Sequence, residues 1–254
     1  MVPVALLALV ISVAPAPETG CWTTDYAPDS LALHREPSSK AASIRSVPKG
    51  KASSFVRVDG FSNGSQDWVQ IRTGEVEGWV PVRYVVCRLT STEAQEAVAH
   101  QASAIVQALK KEDFQSLSDY VHPTKGLLLS PYATVDRKVN AHFSAAELKT
   151  IAESPALRTW GVDDGTGAPI RLTFSKYYSK FMYDRDFATA PKVTYNDDST
   201  GEAKKVWEEF PSASVVNLSF PESESKPEDH LLLSFEEQQG KWYLTAILHA
   251  GWTI

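Results

Sequence analysis

The sequence predicts two folded domains, a small all-β barrel followed by a larger α+β domain with a curved antiparallel sheet and helices. Three observations predict this order. Short β-type runs broken by turn residues fill positions 31–86, an amphipathic helix begins near Thr90, and an apolar hairpin closes the chain. We therefore expect a signal-like segment over 1–20, a barrel over 21–89 and an α+β domain over 90–254.

The C-terminal hairpin over 231–252 is the clearest element of the chain. Gly240 lies between two apolar runs and can supply the positive φ of a tight turn. Strict alternation in the second run predicts one face formed by Trp242, Leu244, Ala246 and Leu248, and an opposite face formed by Tyr243, Thr245, Ile247 and His249. We expect the second, mixed face to meet a helix, a pocket or a partner.

Composition and charge are those of a globular protein with an acidic larger domain. The chain has 254 residues, of which 43% are hydrophobic and 22% charged, with a net charge of −6. Residues 21–91 carry nine Lys/Arg and seven Asp/Glu, whereas residues 92–254 carry sixteen and twenty-three. Because phosphate binding needs a positive patch, this distribution argues against nucleic acid as a partner.

The first twenty residues indicate export. The apolar run Val4–Val13 is followed by small residues and prolines, although no Lys or Arg stands near Met1. The run is too short to cross a bilayer as a helix and suits the apolar region of a secretory signal, while a buried N-terminal strand is the alternative. We expect a periplasmic or extracellular protein with no transmembrane span after signal removal.

The two cysteines, Cys21 and Cys87, admit two interpretations. Cys21 could be the lipidated residue of a lipid-anchored protein, but of the preceding Glu18, Thr19 and Gly20 only the glycine suits such a site. The alternative is a disulfide, which export permits and which would join the two ends of the small domain. A loop of that length stabilises by about 4 kcal/mol in the chain-entropy model.

The small domain resembles a bacterial SH3 (SH3b) domain. The residues that carry the resemblance are Leu33, Arg35-Glu36-Pro37, Ile44, Pro48-Lys49-Gly50, Asp67–Ile71, Glu77–Val80 and Tyr84-Val85. It departs from the family in lacking the glycine of the usual Arg-x-Gly-Pro opening. The resemblance implies a non-catalytic barrel that binds peptidoglycan or its peptides. Trp68, Trp79 and Tyr84 are the candidate aromatic groove, with core or rim packing of the tryptophans, or a spacer role for the barrel, as alternatives.

Local signals define the elements of the larger domain. Thr90–Leu117 predicts one long amphipathic helix with an N-cap, and Ser144–Ser154 a second helix that opens with the spacing of a capping box. A Gly-rich turn covers 163–168. Aromatic residues at helical spacing over 174–187 are typical of a core, and Pro221–Asp229 has the composition of an exposed acidic loop.

The order of these elements is similar to that of NTF2-like domains. Residues 100–254 also resemble a family of uncharacterised exported bacterial proteins and lipoproteins. The matching residues are His122-Pro123 with Gly126, Ser130-Pro131-Tyr132, Trp160-Gly161 with Asp164–Gly167, the 178–187 run, and Gly240–Tyr243 through Trp252–Ile254. Neither resemblance implies a particular activity.

The sequence contains no strong catalytic signature. A Gly-rich phosphate loop, a Gly-x-Ser-x-Gly elbow, His-Glu-x-x-His and Cys-x-x-Cys are all missing, and we predict neither a cofactor nor a metal site. The concave face of the C-terminal sheet is expected to form a pocket. Its candidate ligand-binding residues are His122, Tyr132, Trp160, Asp164, Tyr178, Asp186, His249 and Trp252. Trp160 and Trp252 would stack on sugar or peptide rings.

Two functions fit these features. The first is an exported cell-envelope binding protein, not catalytic, whose partner is peptidoglycan or an envelope protein. The second is an envelope hydrolase that acts on glycan or peptide through a His/Asp pair. The hydrolase requires His122 or His249 within hydrogen-bond reach of a buried carboxylate, whereas a binder would use aromatic and backbone contacts.

Overall fold

The computed structural model describes residues 19–24, 27–49, 55–61, 67–223 and 227–251. The chain divides into two compact units, residues 1–87 and residues 88–254. The predicted signal lies outside the described residues except for Thr19 and Gly20, and so does Trp252. No helix in the described ranges is long and apolar enough to span a membrane.

The first unit is an antiparallel all-β unit. Its described strands are β1 (Thr19–Thr23), β2 (Ser30–His34), β3 (Ser43–Pro48), β4 (Phe55–Phe61), β5 (Trp68–Thr73), β6 (Val76–Pro81) and β7 (Val85–Cys87), with a 3₁₀ turn at Val82–Tyr84. They form one sheet in the order β3-β2-β6-β5-β4-β1-β7. Alternate residues point inward, and Leu31, Leu33, Val69, Ile71 and Val80 form its buried core.

Strand β1 is an element that the sequence does not predict. Gly20 pairs with Val56 of β4, so β structure begins inside the segment expected to be signal-like. Cys21 is fully buried, pairs directly with Cys87 of β7 and forms a disulfide with it across 66 residues of chain. The disulfide therefore joins the first described strand of the unit to its last.

The second unit combines helices with a mixed sheet, in agreement with the predicted α+β class. Its described helices are α1 (Ser91–Lys110), α2 (Phe114–Ser118), α3 (Ala145–Thr150), α4 (Phe174–Tyr177) and α5 (Glu202–Glu209). A π-helical turn, Tyr178–Met182, follows α4 directly, and 3₁₀ turns cover Ile151–Glu153 and Phe187–Thr189. The strands are β8 (Leu127–Ser130), β9 (Ala141–Phe143), β10 (Arg158–Val162), β11 (Pro169–Leu172), β12 (Lys192–Tyr195), β13 (Ser214–Phe220), β14 (Asp229–Gln238) and β15 (Lys241–Gly251).

The main sheet of this unit is buried on both faces. Its order is β12-β13-β14-β15-β8-β9, with β8 parallel to β15 and the other pairs antiparallel. Leu231 and Leu233 of β14 pack with residues of α1 to α4 on one face, and Leu232 packs with α5 on the other. Strands β10 and β11 form a separate hairpin. Both faces of the C-terminal hairpin thus meet helices.

The predicted helix 90–117 is two helices. The N-cap predicted at its start is confirmed at Thr90, where Glu93 completes a capping box. After Lys110 the chain turns, because Glu112 adopts a φ of 55° that no helix accommodates. Asp113 then caps α2 by accepting a hydrogen bond of 2.9 Å from the Ser116 backbone N–H. The capping residue Asp113 therefore starts a new helix here, although the apolar spacing of the sequence continues.

The prediction of strict alternation in β15 is wrong at one residue. Ser234 pairs with Ala246 but the next residue, Phe235, pairs with Leu244, so Thr245 is an additional residue in a β-bulge. Its hydroxyl donates to the Ser234 carbonyl at 3.1 Å. Leu244 and Ile247 consequently face the same core, while Ala246 and Leu248 face the other.

Removal of the disulfide should destabilise the first unit. We expect the Cys21→Ala/Cys87→Ala variant to lose about 4 kcal/mol of unfolding free energy, because the unfolded chain is then no longer closed into a loop of that length. Calorimetry or denaturant unfolding measures this. A reducing agent should lower the stability of the wild type and leave the variant unchanged; equal stability of both proteins in oxidising buffer would contradict the expectation.

Candidate functional site

Three ionisable side chains meet at one end of the main sheet. Asp229 begins β14 and His249 lies near the end of β15, on the same face because Leu231 pairs with His249 and Asp229 with Gly251. Asp184 comes from the loop after the π-helical turn. His249 Nε2 lies 3.2 Å from Asp184 Oδ1 and 3.1 Å from Asp229 Oδ1.

The surroundings of this cluster are buried and apolar. The side chain of His249 is 2% exposed and that of Asp229 5%, whereas that of Asp184 is 29% exposed. The ring of Phe181 meets the imidazole edge-on with centroids 6.4 Å apart. A Cβ on Gly251 would lie 2.7 Å from Asp229 Oδ1 and 2.8 Å from His249 Cε1, so only glycine leaves room for these two groups.

Ionic contacts decide the charge of the cluster. Arg185 Nε lies 2.9 Å from Asp229 Oδ2 and so partners the outer oxygen of that carboxylate. Burial by itself lowers the pKa of His249, but the close polar contacts with Asp184 and Asp229 and the charges of both aspartates outweigh burial and raise the pKa to about 9. His249 is therefore a proton donor in this arrangement and a poor general base.

The hydrogen bonds of the cluster are incomplete within the described part of the chain. The contact from His249 Nε2 to Asp184 Oδ1 has hydrogen-bond geometry, whereas Asp229 Oδ1 and His249 Nδ1 are buried without a partner in such geometry. Nε2, Asp184 Oδ1 and Asp229 Oδ1 lie within 4.8 Å of one another, close enough to hold one metal ion.

A cleft lies on the opposite face of the same sheet end. It encloses about 940 Å³ and is lined by Tyr132, Ala133, Thr134, Asp163, Asp164, Gly165, Glu202, Lys205, Glu222, Pro227, Glu228, His230, Ala250 and Gly251. Ala250 and His230 alternate with His249 and Asp229 along their strands, which puts them on the other face. The tip of the β10–β11 hairpin reaches it, since the Asp164 N–H contacts the Tyr132 hydroxyl at 3.4 Å.

The cleft is strongly acidic, with five carboxylates against one lysine and one histidine. Lys205 pairs with Glu202 at 3.2 Å and His230 lies 3.2 Å from Glu228. Hydrogen bonds from Thr166 lower the pKa of Asp163, which therefore stays ionised. Asp164 and Glu222 form no ion pair with any residue that the structure describes, so they give the cleft an uncompensated negative charge.

Two aromatic residues expected to bind ligand belong to the core. Trp160 is fully buried, stacks on Tyr177 with centroids 4.1 Å apart, and donates from Nε1 to the Leu172 carbonyl at 2.9 Å. Tyr178 is 8% exposed and its hydroxyl donates to the Leu109 carbonyl. Both expectations are wrong, because the helical aromatic stripe and β10 pack against each other and leave no ring face for a ligand.

His122 and Asp186 neither line the cleft nor belong to the cluster. His122 is buried, and its Nδ1 accepts a hydrogen bond of 3.0 Å from the Lys125 backbone N–H in a turn. Asp186 pairs with Lys110 at 2.6 Å and accepts from the Tyr183 hydroxyl at 2.8 Å. The predicted pocket that gathers His122, Asp164, Tyr178, Asp186 and His249 is therefore not formed.

The three candidate groove residues of the first unit are half-buried. Trp79 pairs with His34 and with Gln70, and Trp68 lies two residues before Gln70, so both tryptophans share one face of β5 and β6. The His34 and Trp68 rings meet edge-on with centroids 5.4 Å apart. Tyr84 lies in the 3₁₀ turn, below the Arg83 guanidinium.

Sequence reasoning missed both carboxylates that contact His249. Asp229 was placed in an exposed acidic loop, yet it is 4% exposed and starts β14. Its spacing of two and four residues from Leu231 and Leu233 was a usable signal, because alternation puts all three on one face. No comparable local signal marks Asp184 or its neighbour Arg185.

Comparisons with known proteins add no relative. No protein-family model, curated protein or solved structure matches this chain. The resemblances to SH3b domains, to NTF2-like domains and to exported bacterial proteins therefore stay predictions from the sequence.

The burial of Trp160 makes it a stability determinant. We expect Trp160→Ala to lower the free energy of unfolding by about 3–5 kcal/mol, since it removes a stacked, hydrogen-bonded core ring. Urea unfolding of the full chain measures the loss. Leu157→Ala is the control in the same segment, because Leu157 is 60% exposed and should change stability by less than about 0.5 kcal/mol.

Protonation of His122 should destabilise the fold. Burial, followed by the charge of Lys125, lowers its pKa below the value of about 6.5 that it has when unfolded. As the pH falls, His122 is protonated in the unfolded chain before it is protonated in the folded protein. The contribution of neutral, buried His122 to stability therefore decreases as the pH drops below about 6.5.

The matched variant for this pH effect is His122→Asn. The Asn oxygen can still accept from the Lys125 N–H but does not titrate. Stability measured by urea unfolding from neutral to mildly acidic pH should fall less steeply in the variant than in the wild type. Parallel curves would show that His122 protonation is not coupled to folding.

Proposed function

We propose that the protein is an exported binding protein of the bacterial cell envelope. In this proposal the first unit is an SH3b-like barrel that engages the wall. The second unit, an NTF2-like α+β domain, binds an amine-bearing part of a wall peptide or envelope protein in its acidic cleft. The observation that carries the proposal is the cleft with two carboxylates, Asp164 and Glu222, that form no ion pair with any described residue.

The size and charge of the cleft support a ligand with amino groups. A volume of about 940 Å³ is that of sites for drug-sized ligands or short peptide and glycan segments. An ammonium group placed between Asp164 and Glu222 would form charge-assisted hydrogen bonds, which are about twice as strong as neutral ones. Tyr132 offers an aromatic wall and a hydroxyl beside Asp164.

Features of the first unit support export and wall binding. A disulfide between Cys21 and Cys87 suits a protein that folds in an oxidising compartment. Trp68 and Trp79 share one partly exposed face, which can present aromatic surface to a peptide or sugar. Both features agree with an extracytoplasmic binding module.

The alternative is an envelope hydrolase, and one observation favours it. His249 lies within hydrogen-bond reach of the buried Asp229, as a catalytic pair requires. However, His249 is 2% exposed, and its Nε2 is already engaged by two aspartates. It is also absent from the residues that line the cleft. Binding is the better conclusion.

A pull-down on intact peptidoglycan tests the proposal. We expect the full chain to sediment with the wall material and the Asp164→Asn/Glu222→Gln variant to bind at least about fivefold more weakly, since about 1 kcal/mol is lost when ionic contacts are removed. The charge-matched control is Glu96→Gln/Glu153→Gln, which changes two exposed carboxylates away from the cleft and should bind as the wild type does.

The same assay distinguishes the contributions of the two units to binding. Loss of binding in Trp68→Ala, with the cleft variant unaffected, would assign wall targeting to the first unit alone. Absence of binding by the wild type would overturn peptidoglycan as the partner. Release of soluble fragments from the peptidoglycan by the wild type would establish the hydrolase instead.

A further inference from the structure

The carboxylate of Asp229 is an unusual buried group. Its Oδ2 is partnered by Arg185 at 2.9 Å, but its Oδ1 has no hydrogen-bond partner in the described ranges although the residue is 4% exposed. A buried carboxylate oxygen without a hydrogen bond of good geometry destabilises the site that contains it. The group that faces this oxygen is therefore expected to determine what the site can bind.

Asp229 Oδ1 points toward His249 Nε2, which lies 3.1 Å away. Nε2 can donate only one hydrogen, and its hydrogen bond goes to Asp184 Oδ1 at 3.2 Å. A single proton therefore satisfies one of the two aspartates. A divalent cation that displaces the Nε2 proton into solvent and takes its place among the three atoms would contact both carboxylates and the imidazole together.

We propose that Asp184, Asp229 and His249 form a binding site for a divalent first-row metal ion, for which Zn²⁺ is the best match. Zinc binds His nitrogen and Asp oxygen at about 2.0–2.2 Å. Ligand atoms at that distance are about 3.4 Å apart in a tetrahedron and about 3.0 Å apart in neighbouring positions of an octahedron. The two Nε2–oxygen distances of 3.2 and 3.1 Å fall between these values, and the two aspartate oxygens lie within 4.8 Å of each other.

The remaining contacts suit a metal site. Arg185 holds the outer oxygen of Asp229 and thereby fixes the inner oxygen toward the ion, as outer-shell partners of ligating carboxylates do. Gly251 leaves the space that this carboxylate occupies beside His249. The imidazole ligand favours Zn²⁺ and its neighbours in the first row over Mg²⁺ and Ca²⁺, which prefer oxygen ligands.

The site is open on one side. Asp184 is 29% exposed, whereas the other two ligands are buried. Three protein ligands leave at least one coordination position for water or for a ligand group. The site goes beyond the proposed envelope-binding function, because none of its three ligands lines the acidic cleft.

Direct metal binding by the full chain tests the site. The protein, without a histidine tag, is treated with chelator, dialysed, and titrated with Zn²⁺ by calorimetry, with elemental analysis for the stoichiometry. We expect a single saturable Zn²⁺ per chain and a rise in Tm on binding. Mg²⁺ and Ca²⁺ at equal concentration should give neither effect.

Variants locate the ion. Asp184→Ala and His249→Gln should each weaken Zn²⁺ binding by at least about tenfold, since each removes a ligand. His230→Gln is the matched control, because His230 adjoins Asp229 but faces the other side of the sheet. If His249→Gln does not fold, Asp184→Ala decides the question, because the Asp184 side chain is the most exposed of the three.

Three outcomes would overturn the site: no saturable Zn²⁺ binding by the wild type, undiminished binding by Asp184→Ala, or a loss of binding confined to His230→Gln. The peptidoglycan assay reports separately on the proposed function. A wall-binding protein without Zn²⁺ affinity would refute only the metal site, and a Zn²⁺-binding protein without wall affinity would refute only the envelope proposal.

Discussion

The pairing of β14 with β15 is the constraint on which the second unit depends. These are the longest strands that the structure describes, and their register runs from Asp229 opposite Gly251 to Gln238 opposite Lys241. Because side chains alternate between faces, this register assigns Leu231 and Leu233 to the core under α1 to α4 and Leu232 to the core under α5. It also sets Asp229 beside His249.

The bulge at Thr245 determines which face of the sheet His249 occupies. A shift of one residue moves every following side chain to the opposite face of a sheet. Beyond Thr245, Ile247 and His249 therefore face the same side as Leu244, whereas unbroken alternation would have separated them. The buried ionic cluster thus exists because the strand carries one additional residue.

The cluster and the cleft use charge in different ways. In the cluster, burial beside Phe181 makes every unpaired charge costly, so Arg185, Asp184, Asp229 and His249 hold one another in fixed positions. In the cleft, Asp164 and Glu222 are exposed to solvent and form no ion pair with the residues that the structure describes. The first arrangement suits a small cation held tightly, and the second suits an exchangeable ligand.

The sequence by itself determined the features that depend only on residues close together in the chain. The capping boxes at Thr90 and Ser144 and the tight turn at Gly240 were predictable because each depends on contacts within a few residues. Two residues of the candidate site were predictable: His249 from the alternation in β15, and Asp164 from the turn signals around it. Neither pattern could predict which residues contact them.

Only the tertiary structure decided which distant groups meet. Asp184 and His249 are 65 residues apart, and their contact depends on how the π-helical turn packs against the sheet. The same packing buried Trp160, which the sequence made a ligand-binding candidate. Hydrophobic burial is non-directional, so a sequence pattern shows that a residue is apolar or aromatic without showing what will cover it.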